Sequence, residues 1–284
     1  MKLKEETEEL WDRYHFTPQQ ALSQNFLIDP HIIERIIEAT EAGKDDLILE
    51  IGAGTGLLTR RLTERAGCIL AVEIDELLCQ ILREELKEKK NLEVIQKDIC
   101  QVSWERRKLS FRSVKVVGNL PYHLASSILL ELIREKWVKF MVVMLQREVG
   151  ERLLSPPGSR RRGVMTVLLS HFGHLSKIID VPPQAFIPRP KVSSSLFKIT
   201  PQDTADLVDA NLFARVVKAA FSARRKMLIN SFAQGLGLAK AEVEQILINS
   251  GINPRRRAEQ LTVEEFVKLS RILSRERSKE KIGY

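Results

Sequence analysis

The sequence predicts an α/β protein in which a sheet of parallel strands alternating with helices is followed by a small all-helical domain. Short apolar runs rich in Val, Ile and Leu recur along the first two hundred residues, and stretches with helical periodicity separate them. After residue 200 the apolar residues follow only the 3.6-residue period of helices. We therefore divide the chain into a polar lead-in at 1–22, an α/β domain at 23–200 and a helical domain at 201–284.

A glycine-rich turn, Gly52–Gly56, follows the first strand of the predicted sheet, Leu47–Ile51. A turn of this kind between a strand and a helix lets a ligand approach the backbone and face a helix N-terminus. The dinucleotide-binding fingerprint would require a third glycine at the position of Leu57. The turn therefore indicates a ligand site but disfavours an NAD-dependent dehydrogenase.

Carboxylates follow the next two predicted strands. Glu73 comes directly after the strand Ile69–Val72, and Asp98 follows the strand at Val94-Ile95. Because the carboxyl ends of parallel strands meet at one edge of the sheet, Glu73 is placed to accept both hydroxyls of a ribose. Asp98 is placed to accept a hydrogen bond from an adenine amino group. Both positions therefore favour a nucleoside ligand beside the glycine turn.

A fourth strand, Val114–Gly118, leads into the motif Asn119-Leu120-Pro121-Tyr122, which we predict to be catalytic. Asn119 offers an amide oxygen, and the missing N–H of Pro121 biases the local backbone towards presenting carbonyl acceptors. Tyr122 offers a flat aromatic face. Carbonyl oxygens beside an aromatic ring suit a planar base that carries an exocyclic amine.

A proline-rich segment, 186–192, precedes the last predicted strand, Ser194–Ile199. Its first residue, Phe186, is a candidate for a second ring that stacks on the base. Packing of Phe186 beneath the segment is the alternative interpretation.

The second part of the chain is strongly basic. Residues 1–100 carry 13 basic and 21 acidic residues, whereas residues 101–284 carry 32 and 16, a net charge of +16. Such a distribution indicates a polyanionic partner. Three clusters are candidate contacts to the phosphates of a nucleic acid: Arg160-Arg161-Arg162, Arg224-Arg225-Lys226 and Arg255-Arg256-Arg257.

Several classes of protein are disfavoured. The N-terminus lacks the apolar stretch of a secretory signal, and no run approaches the roughly 18 apolar residues of a membrane span. The three cysteines lack C-x-x-C spacing, and the five histidines do not cluster with metal-ligand spacing. No nucleophile elbow or Walker A pattern occurs. We therefore expect a cytoplasmic protein with no metal and no membrane partner.

The order of the motifs resembles that of the rRNA adenine N6,N6-dimethyltransferase family, from about residue 20 to 275, and most closely the bacterial branch that acts on small-subunit rRNA. The matching segments are Ser-Gln-Asn-Phe-Leu (23–27), Leu-Glu-Ile-Gly-Ala-Gly-Thr-Gly (49–56), Val-Glu-Ile-Asp (72–75), Lys-Asp-Ile (97–99), Asn-Leu-Pro-Tyr (119–122), Phe-x-Pro-x-Pro-x-Val-x-Ser (186–194), Phe-Ser-Ala-Arg-Arg-Lys (221–226) and Arg-Ala-Glu-Gln-Leu (257–261). The chain departs from the family at Ser23 and His123, where members often have Gly and Asn.

The resemblance implies a Rossmann-like class I methyltransferase sheet and S-adenosylmethionine as cofactor. The substrate implied is a pair of adjacent adenosines in the 3′-terminal hairpin of 16S rRNA, dimethylated during biogenesis of the small ribosomal subunit, and we expect a monomer. The cofactor positions that match are Asn25, Leu27, Gly52, Gly54, Glu73, Asp98 and Asn119.

Two other functions stay open within these observations. One is methylation of large-subunit rRNA of the antibiotic-resistance type, against which the basic clusters of the helical domain weigh. The other is a non-catalytic role in ribosome assembly through the basic half of the chain. The complete set of cofactor motifs argues against the second as the sole role.

Overall fold

The structure is a computed structural model that describes residues 2–19, 22, 24–102, 113–120, 125–204, 208–223 and 225–282. The contacts between residues divide the chain into two compact units. The first unit comprises Met1–Gly150 and Leu175–Pro201. The second comprises Glu151–His174 and Gln202–Tyr284.

The first unit is built on a seven-stranded sheet. Its strands are β2 (Asp46–Ile51), β3 (Cys68–Glu73), β4 (Leu92–Gln96), β5 (Ser113–Asn119), β6 (Val138–Gln146), β7 (Gly173–Val181) and β9 (Ser194–Pro201). They lie in the order β4-β3-β2-β5-β6-β9-β7. The first five strands in this order run parallel, and β9 pairs antiparallel with β6. The α/β fold predicted from the sequence is confirmed.

A second, two-stranded sheet joins β1 (Phe26–Leu27) to β8 (Phe186–Ile187). The two strands pair antiparallel, with Phe26 opposite Ile187 and Leu27 opposite Phe186. This short sheet brings the segment that precedes the first large strand next to the proline-rich segment.

Helices of the first unit begin where the sequence supplies caps. The Asp29 carboxylate accepts hydrogen bonds from the first backbone N–H groups of α2 (Pro30–Thr40), and the Asp75 carboxylate does the same for α4 (Glu76–Glu85). The glycine turn leads directly into α3 (Leu57–Arg65). Helix α5 (Ala125–Leu132) follows β5 in the same unit.

The lead-in is more ordered than the sequence analysis indicated. A helix of 13 residues, α1 (Lys2–Tyr14), occupies most of it, where the sequence analysis assigned no secondary structure. Leu3, Thr7, Leu10 and Tyr14 recur at helical spacing, and Thr7 and Leu10 are buried. The many charged residues between them hide this pattern, because they lower the average hydrophobicity of the segment.

The second unit is helical. It contains α7 (Val164–Phe172), α8 (Ala210–Ala220), α9 (Leu228–Leu236), α10 (Lys240–Asn249) and α11 (Val263–Ile282). The sequence placed 151–174 in the first domain, whereas the structure groups Glu151–His174 with these helices. Helix α7 packs against α8 and α11, because its buried apolar residues face them. Helix α6 (Arg147–Leu153) spans the point where the two units meet in the sequence.

None of the helices in the described ranges is both long enough and apolar enough to cross a membrane.

Candidate active site and basic surface

A cavity of about 180 Å³ lies in the first unit at the carboxyl ends of β2, β3 and β5. The residues predicted for cofactor binding share this cavity, together with two members of the predicted catalytic motif. Its predicted lining residues are Asn25, Leu27, Gly52, Gly54, Glu73, Asp98, Asn119 and Leu120. The structure therefore brings together residues that are up to 95 positions apart in the sequence.

Glu73 is held at the end of β3 by three backbone donors. Its Oε2 atom accepts from the N–H of Gly54 at 3.0 Å, and its Oε1 atom accepts from the N–H groups of Ile74 and Asp75 at 2.8 and 3.1 Å. Burial raises the pKa of the carboxyl, although these hydrogen bonds act to lower it. The carboxylate is thus oriented before any ligand arrives and joins β3 to the glycine turn.

The glycine turn requires glycine for a reason visible in the structure. Gly52 and Gly54 have φ values of +71° and +57°, which residues other than glycine rarely adopt. A Cβ atom on Gly54 would also lie 3.0 Å from the Phe26 ring. The side chain of Phe26 therefore packs directly on the backbone of the turn and closes one wall of the cavity.

Asn119 is the last residue of β5, and its side chain is hydrogen-bonded to the residue that precedes β1. Its Nδ2 atom donates a hydrogen bond to the backbone carbonyl of Asn25 at 3.1 Å. Because the amide nitrogen is engaged in this bond, the side-chain oxygen is the acceptor that Asn119 can offer to a ligand. Leu120 follows directly and is buried. Pro121 and Tyr122 lie outside the described residues.

Asp98 has a local role as well as a place in the cavity. Its Oδ1 atom accepts from the N–H of Cys100 at 2.9 Å and caps the short 3₁₀ turn that follows β4. Leu27 contributes an apolar contact from β1.

Sequence reasoning missed Glu50, which lines the same cavity with only 2% of its surface exposed. Burial raises its pKa to about 8, while Thr59 acts in the opposite direction. The Oε2 atom has no hydrogen-bond partner among the described residues. The signal that could have identified Glu50 is the presence of a charged residue inside the otherwise apolar strand Leu47–Ile51.

The structure corrects the expectation for Phe186. Its ring is 3% exposed and belongs to the apolar core of the first unit, where Ala185 and Leu196 are also buried. The ring therefore presents no free face to a base in this conformation, and the alternative of packing beneath the proline-rich segment is the one observed.

The first basic cluster divides into two kinds of residue. Arg160 and Arg161 are exposed, and Arg161 forms an ion pair of 3.1 Å with Glu151. Arg162 is 3% exposed and donates to the carbonyl of Ser155 at 2.9 Å. Arg162 is thus built into the helical unit and was wrongly predicted to reach RNA phosphates, because a run of like charges does not reveal which side chain turns inward.

The other two clusters divide in a similar way. Arg225 and Lys226 are exposed, and Arg224 lies outside the described residues. Arg255 and Arg257 are exposed, whereas Arg256 forms an ion pair with Glu265. Arg256 is partly exposed, and its pairing with Glu265 gives it a structural role in the helical unit beside the predicted phosphate contact.

A shallow groove on the helical unit adds to the basic surface. It is lined by Lys226, Asn230, Ala233, Gln234 and Lys240. Across the described part of the chain, no cluster of three or more His, Cys, Asp or Glu side chains is arranged to hold a metal ion.

The fold and the cavity together define the class of protein. A parallel sheet with its ligand cavity at the strand ends, a glycine turn after the first large strand and an acid after the next are the architecture of the class I methyltransferases. Solved structures of this class are similar to the chain. A dimethyladenosine transferase from Plasmodium falciparum superposes with a TM-score of 0.75 and 25% identity, covering 86% of this chain and 95% of the other. The 23S rRNA methyltransferase ErmE superposes with a TM-score of 0.66, also at 25% identity, covering 88% and 100%.

Sequence comparison then identifies the family. The pattern of the ribosomal RNA adenine dimethylase family matches residues 15–275. A protein from Clostridium botulinum strain Langeland, called ribosomal RNA small subunit methyltransferase A, is 39% identical over 93% of this chain and 97% of its own length. The chain belongs to the ribosomal RNA adenine dimethylase family, and both this family and the fold imply the use of S-adenosylmethionine.

Proposed function

We propose that this protein uses S-adenosylmethionine to dimethylate the N6 atoms of two adjacent adenosines in the 3′-terminal hairpin of 16S rRNA, during biogenesis of the small ribosomal subunit. The proposal rests on the observation that Asn119 and Leu120 line the same cavity as the glycine turn and Glu73. That arrangement puts acceptors for an amine beside a site suited to a nucleoside cofactor. The small-subunit target is supported by relatives of that name at 36–39% identity.

The residues of the cavity fit this cofactor. Glu73 is already oriented by backbone donors and offers its remaining lone pairs to ribose hydroxyls, and Asp98 offers oxygens to an adenine amine. The buried oxygen of Glu50 that lacks a partner suits a cavity that receives a positively charged ligand. When bound, the cofactor supplies an electrophilic methyl group on a sulfonium.

The catalytic motif acts on the target base. An adenine must leave its stack to enter such a cavity, because its amine is otherwise inaccessible. The side-chain oxygen of Asn119 and the carbonyl of Leu120 or Pro121 accept hydrogen bonds from the N6 amine, with Tyr122 stacking on the ring. These acceptors orient the nitrogen lone pair and stabilise the positive charge that develops on it. No general base is required before attack, because the amine proton becomes acidic only as the new bond forms.

The helical unit is proposed to hold the RNA. Its exposed basic residues are suited to phosphate contacts, and the groove adds two amide side chains, Asn230 and Gln234, between Lys226 and Lys240. The exposed members of the predicted clusters are Arg160, Arg161, Arg225, Lys226, Arg255 and Arg257. Arg162 and Arg256 are left out of this surface because of their internal partners.

Methylation of large-subunit rRNA is the second candidate, and the structural similarity to ErmE favours it. The two activities are separated by supplying purified protein and S-adenosylmethionine with either precursor small subunits or large-subunit rRNA, followed by mass spectrometry of the RNA. We expect two adjacent dimethyladenosines in the 3′-terminal hairpin of 16S rRNA. Modification of 23S rRNA alone contradicts the proposal.

A purely non-catalytic assembly role is tested with the same materials. Transfer of tritium from methyl-labelled S-adenosylmethionine to small-subunit RNA is expected. RNA binding without any transfer, in preparations that bind the cofactor, would instead support the assembly role.

A further inference from the structure

We infer that the N-terminal helix α1 is a positioning element of the cofactor site and that it acts through the ring of Trp11. The inference rests on the proposed function, because it takes S-adenosylmethionine as the ligand of the cavity. It assigns a role to a part of the chain that contributes no lining residue of its own.

Three consecutive residues, Gln24, Asn25 and Phe26, cross the carboxyl-terminal edge of the sheet, and we call this segment the clasp. Each of the three contacts the end of a different strand. The Gln24 side chain donates to the Asp75 carboxylate, just after β3, at 3.0 Å. The Asn25 carbonyl accepts from Asn119 at the tip of β5, and the Phe26 ring packs on Gly54 after β2. The clasp therefore joins the three chain segments that form the polar end of the cavity.

The clasp has little anchorage in the sheets. The strand that contains Phe26 has only two residues, and its partner strand has two as well. Short isolated pairs of this kind are marginally stable by themselves. The position of the clasp must therefore depend on side-chain packing.

That packing comes from α1 and the turn after it. The rings of Trp11, Phe16 and Phe26 meet pairwise, with centroids 5.3 Å apart for Trp11–Phe26, 5.7 Å for Phe16–Phe26 and 6.0 Å for Trp11–Phe16. Leu78 and Ile81 of α4 complete this cluster. The Phe26 ring thus lies between the aromatic cluster on one side and the glycine turn on the other.

Polar contacts hold α1 in place on the same unit. Arg13 forms an ion pair of 2.8 Å with Glu85 of α4, and the Tyr14 hydroxyl donates to the same carboxylate at 2.9 Å. Glu6 pairs with Arg60 of α3. Since α3 and α4 are the helices that follow the two strands carrying the glycine turn and Glu73, α1 is fixed to the scaffold of the cofactor site itself.

The consequence is a dependence of cofactor affinity on a residue outside the cavity. If the clasp is seated in only a fraction of the molecules, the apparent affinity for the cofactor equals the intrinsic affinity multiplied by that fraction. Loss of an aromatic pair such as Trp11–Phe26 lowers the ratio of seated to unseated clasp by up to about tenfold.

The test is titration of full-length protein with S-adenosylmethionine by calorimetry, followed by steady-state kinetics. We expect Trp11→Ala to weaken cofactor binding by about three- to tenfold and to raise the KM for the cofactor by the same factor. The kcat at saturating cofactor and the KM for RNA should stay unchanged. Trp11→Phe should restore binding to within about twofold, because a ring is again present to pack on Phe26.

Phe232→Leu is the matched control, because Phe232 is fully buried in the helical unit. It should lower the melting temperature without changing cofactor affinity. Should Trp11→Ala fail to fold, Trp11→Leu keeps an apolar side chain at this position while it removes the ring. Unchanged cofactor affinity in a folded Trp11 variant overturns the inference alone, whereas failure of the wild-type protein to bind S-adenosylmethionine overturns the inference and the proposed function together.

Discussion

The side-chain amide of Asn119 donates to the backbone carbonyl of Asn25 across 94 positions of sequence, at a distance of 3.1 Å. This bond fixes the rotation of the amide group, whose oxygen is its only hydrogen-bond acceptor. Under the proposed function, this oxygen accepts from the N6 amine of the target adenine. The N-terminal segment therefore both encloses the cavity and orients the side chain at the tip of β5.

The first prediction concerns this amide. We expect Asn119→Ala to lower the rate of methyl transfer by about a hundredfold or more, as removal of a preorganised polar group does in other enzymes. RNA binding should change by less than about twofold, because the phosphate contacts are elsewhere. Single-turnover methylation and a filter-binding titration give the two values.

Asn91→Ala is the control for Asn119→Ala. Asn91 also donates to backbone carbonyls, those of Thr63 and Ala66, and it does not line the cavity. It should reduce stability and leave methyl transfer unchanged. Equal losses of RNA binding and methyl transfer in Asn119→Ala would count against a catalytic role for the amide.

The second prediction concerns Glu73. Glu73→Gln replaces one acceptor oxygen by an NH₂ group and leaves a backbone donor of Gly54, Ile74 or Asp75 without its partner. We expect the dissociation constant for S-adenosylmethionine to rise at least about tenfold, because the ribose loses a hydrogen bond to a charged acceptor, which is worth about 1.5–3 kcal/mol. Isothermal titration calorimetry measures this change.

The exposed acid Glu88 supplies the comparison for Glu73. Glu88→Gln removes the same charge from the first unit and should leave cofactor binding as it is. If Glu73→Gln also binds the cofactor with wild-type affinity, Glu73 does not contact the ligand.

The third prediction separates neighbouring arginines. Arg255 is exposed, whereas Arg256 is paired with Glu265 and donates to the carbonyl of Gln260. We expect Arg255→Ala to weaken RNA binding and to reduce the slope of log affinity against log salt by about one. Arg256→Ala should instead lower the free energy of unfolding by about 1–2 kcal/mol.

Binding titrations at several salt concentrations and thermal melts distinguish the two effects. The reverse pattern, in which Arg256→Ala changes the salt slope and Arg255→Ala does not, would show that the ion pair opens when RNA binds.

The fourth prediction concerns pH and the stability of the helical unit. His171 is 1% exposed, with its ring stacked on Phe213 at 3.8 Å between centroids and against Phe172 at 4.8 Å. Burial lowers its pKa to about 4, below the value of about 6.5 expected in the unfolded chain. The unfolded state therefore binds the proton more readily between these two pH values.

Stability is thus fully present above about pH 6.5 and is lost as the pH falls towards 4, which amounts to about 2 kcal/mol between pH 7 and 5. Thermal or urea unfolding at the two pH values measures this loss. His171→Phe should remove that component, and His174→Phe, at an exposed position, should not. If the wild-type protein loses no more stability between pH 7 and pH 5 than His171→Phe does, the imidazole of His171 is not buried in its neutral form.

Much of the first unit could be predicted because its signals are local. The strands β2, β3, β5 and β6 are short apolar runs, and the glycine turn, Glu73 and Asn119 follow them directly in the sequence. In a parallel sheet the carboxyl ends of the strands meet, so the common location of these side chains at one edge follows from the parallel arrangement.

Other features depended on contacts that no local pattern contains. The sequence by itself determined the order of the strands' polar ends, the family motifs and the basic second half. Only the tertiary structure decided that Phe186 and Arg162 turn inward, that Arg256 pairs with Glu265, that Glu50 lines the cavity, and that Trp11 of α1 packs on Phe26. The physical reason is that burial and pairing are set by partners far away in the chain, such as Glu265 for Arg256 and Phe26 for Trp11. The type of a residue and its immediate neighbours in the sequence specify neither its burial nor its pairing partner.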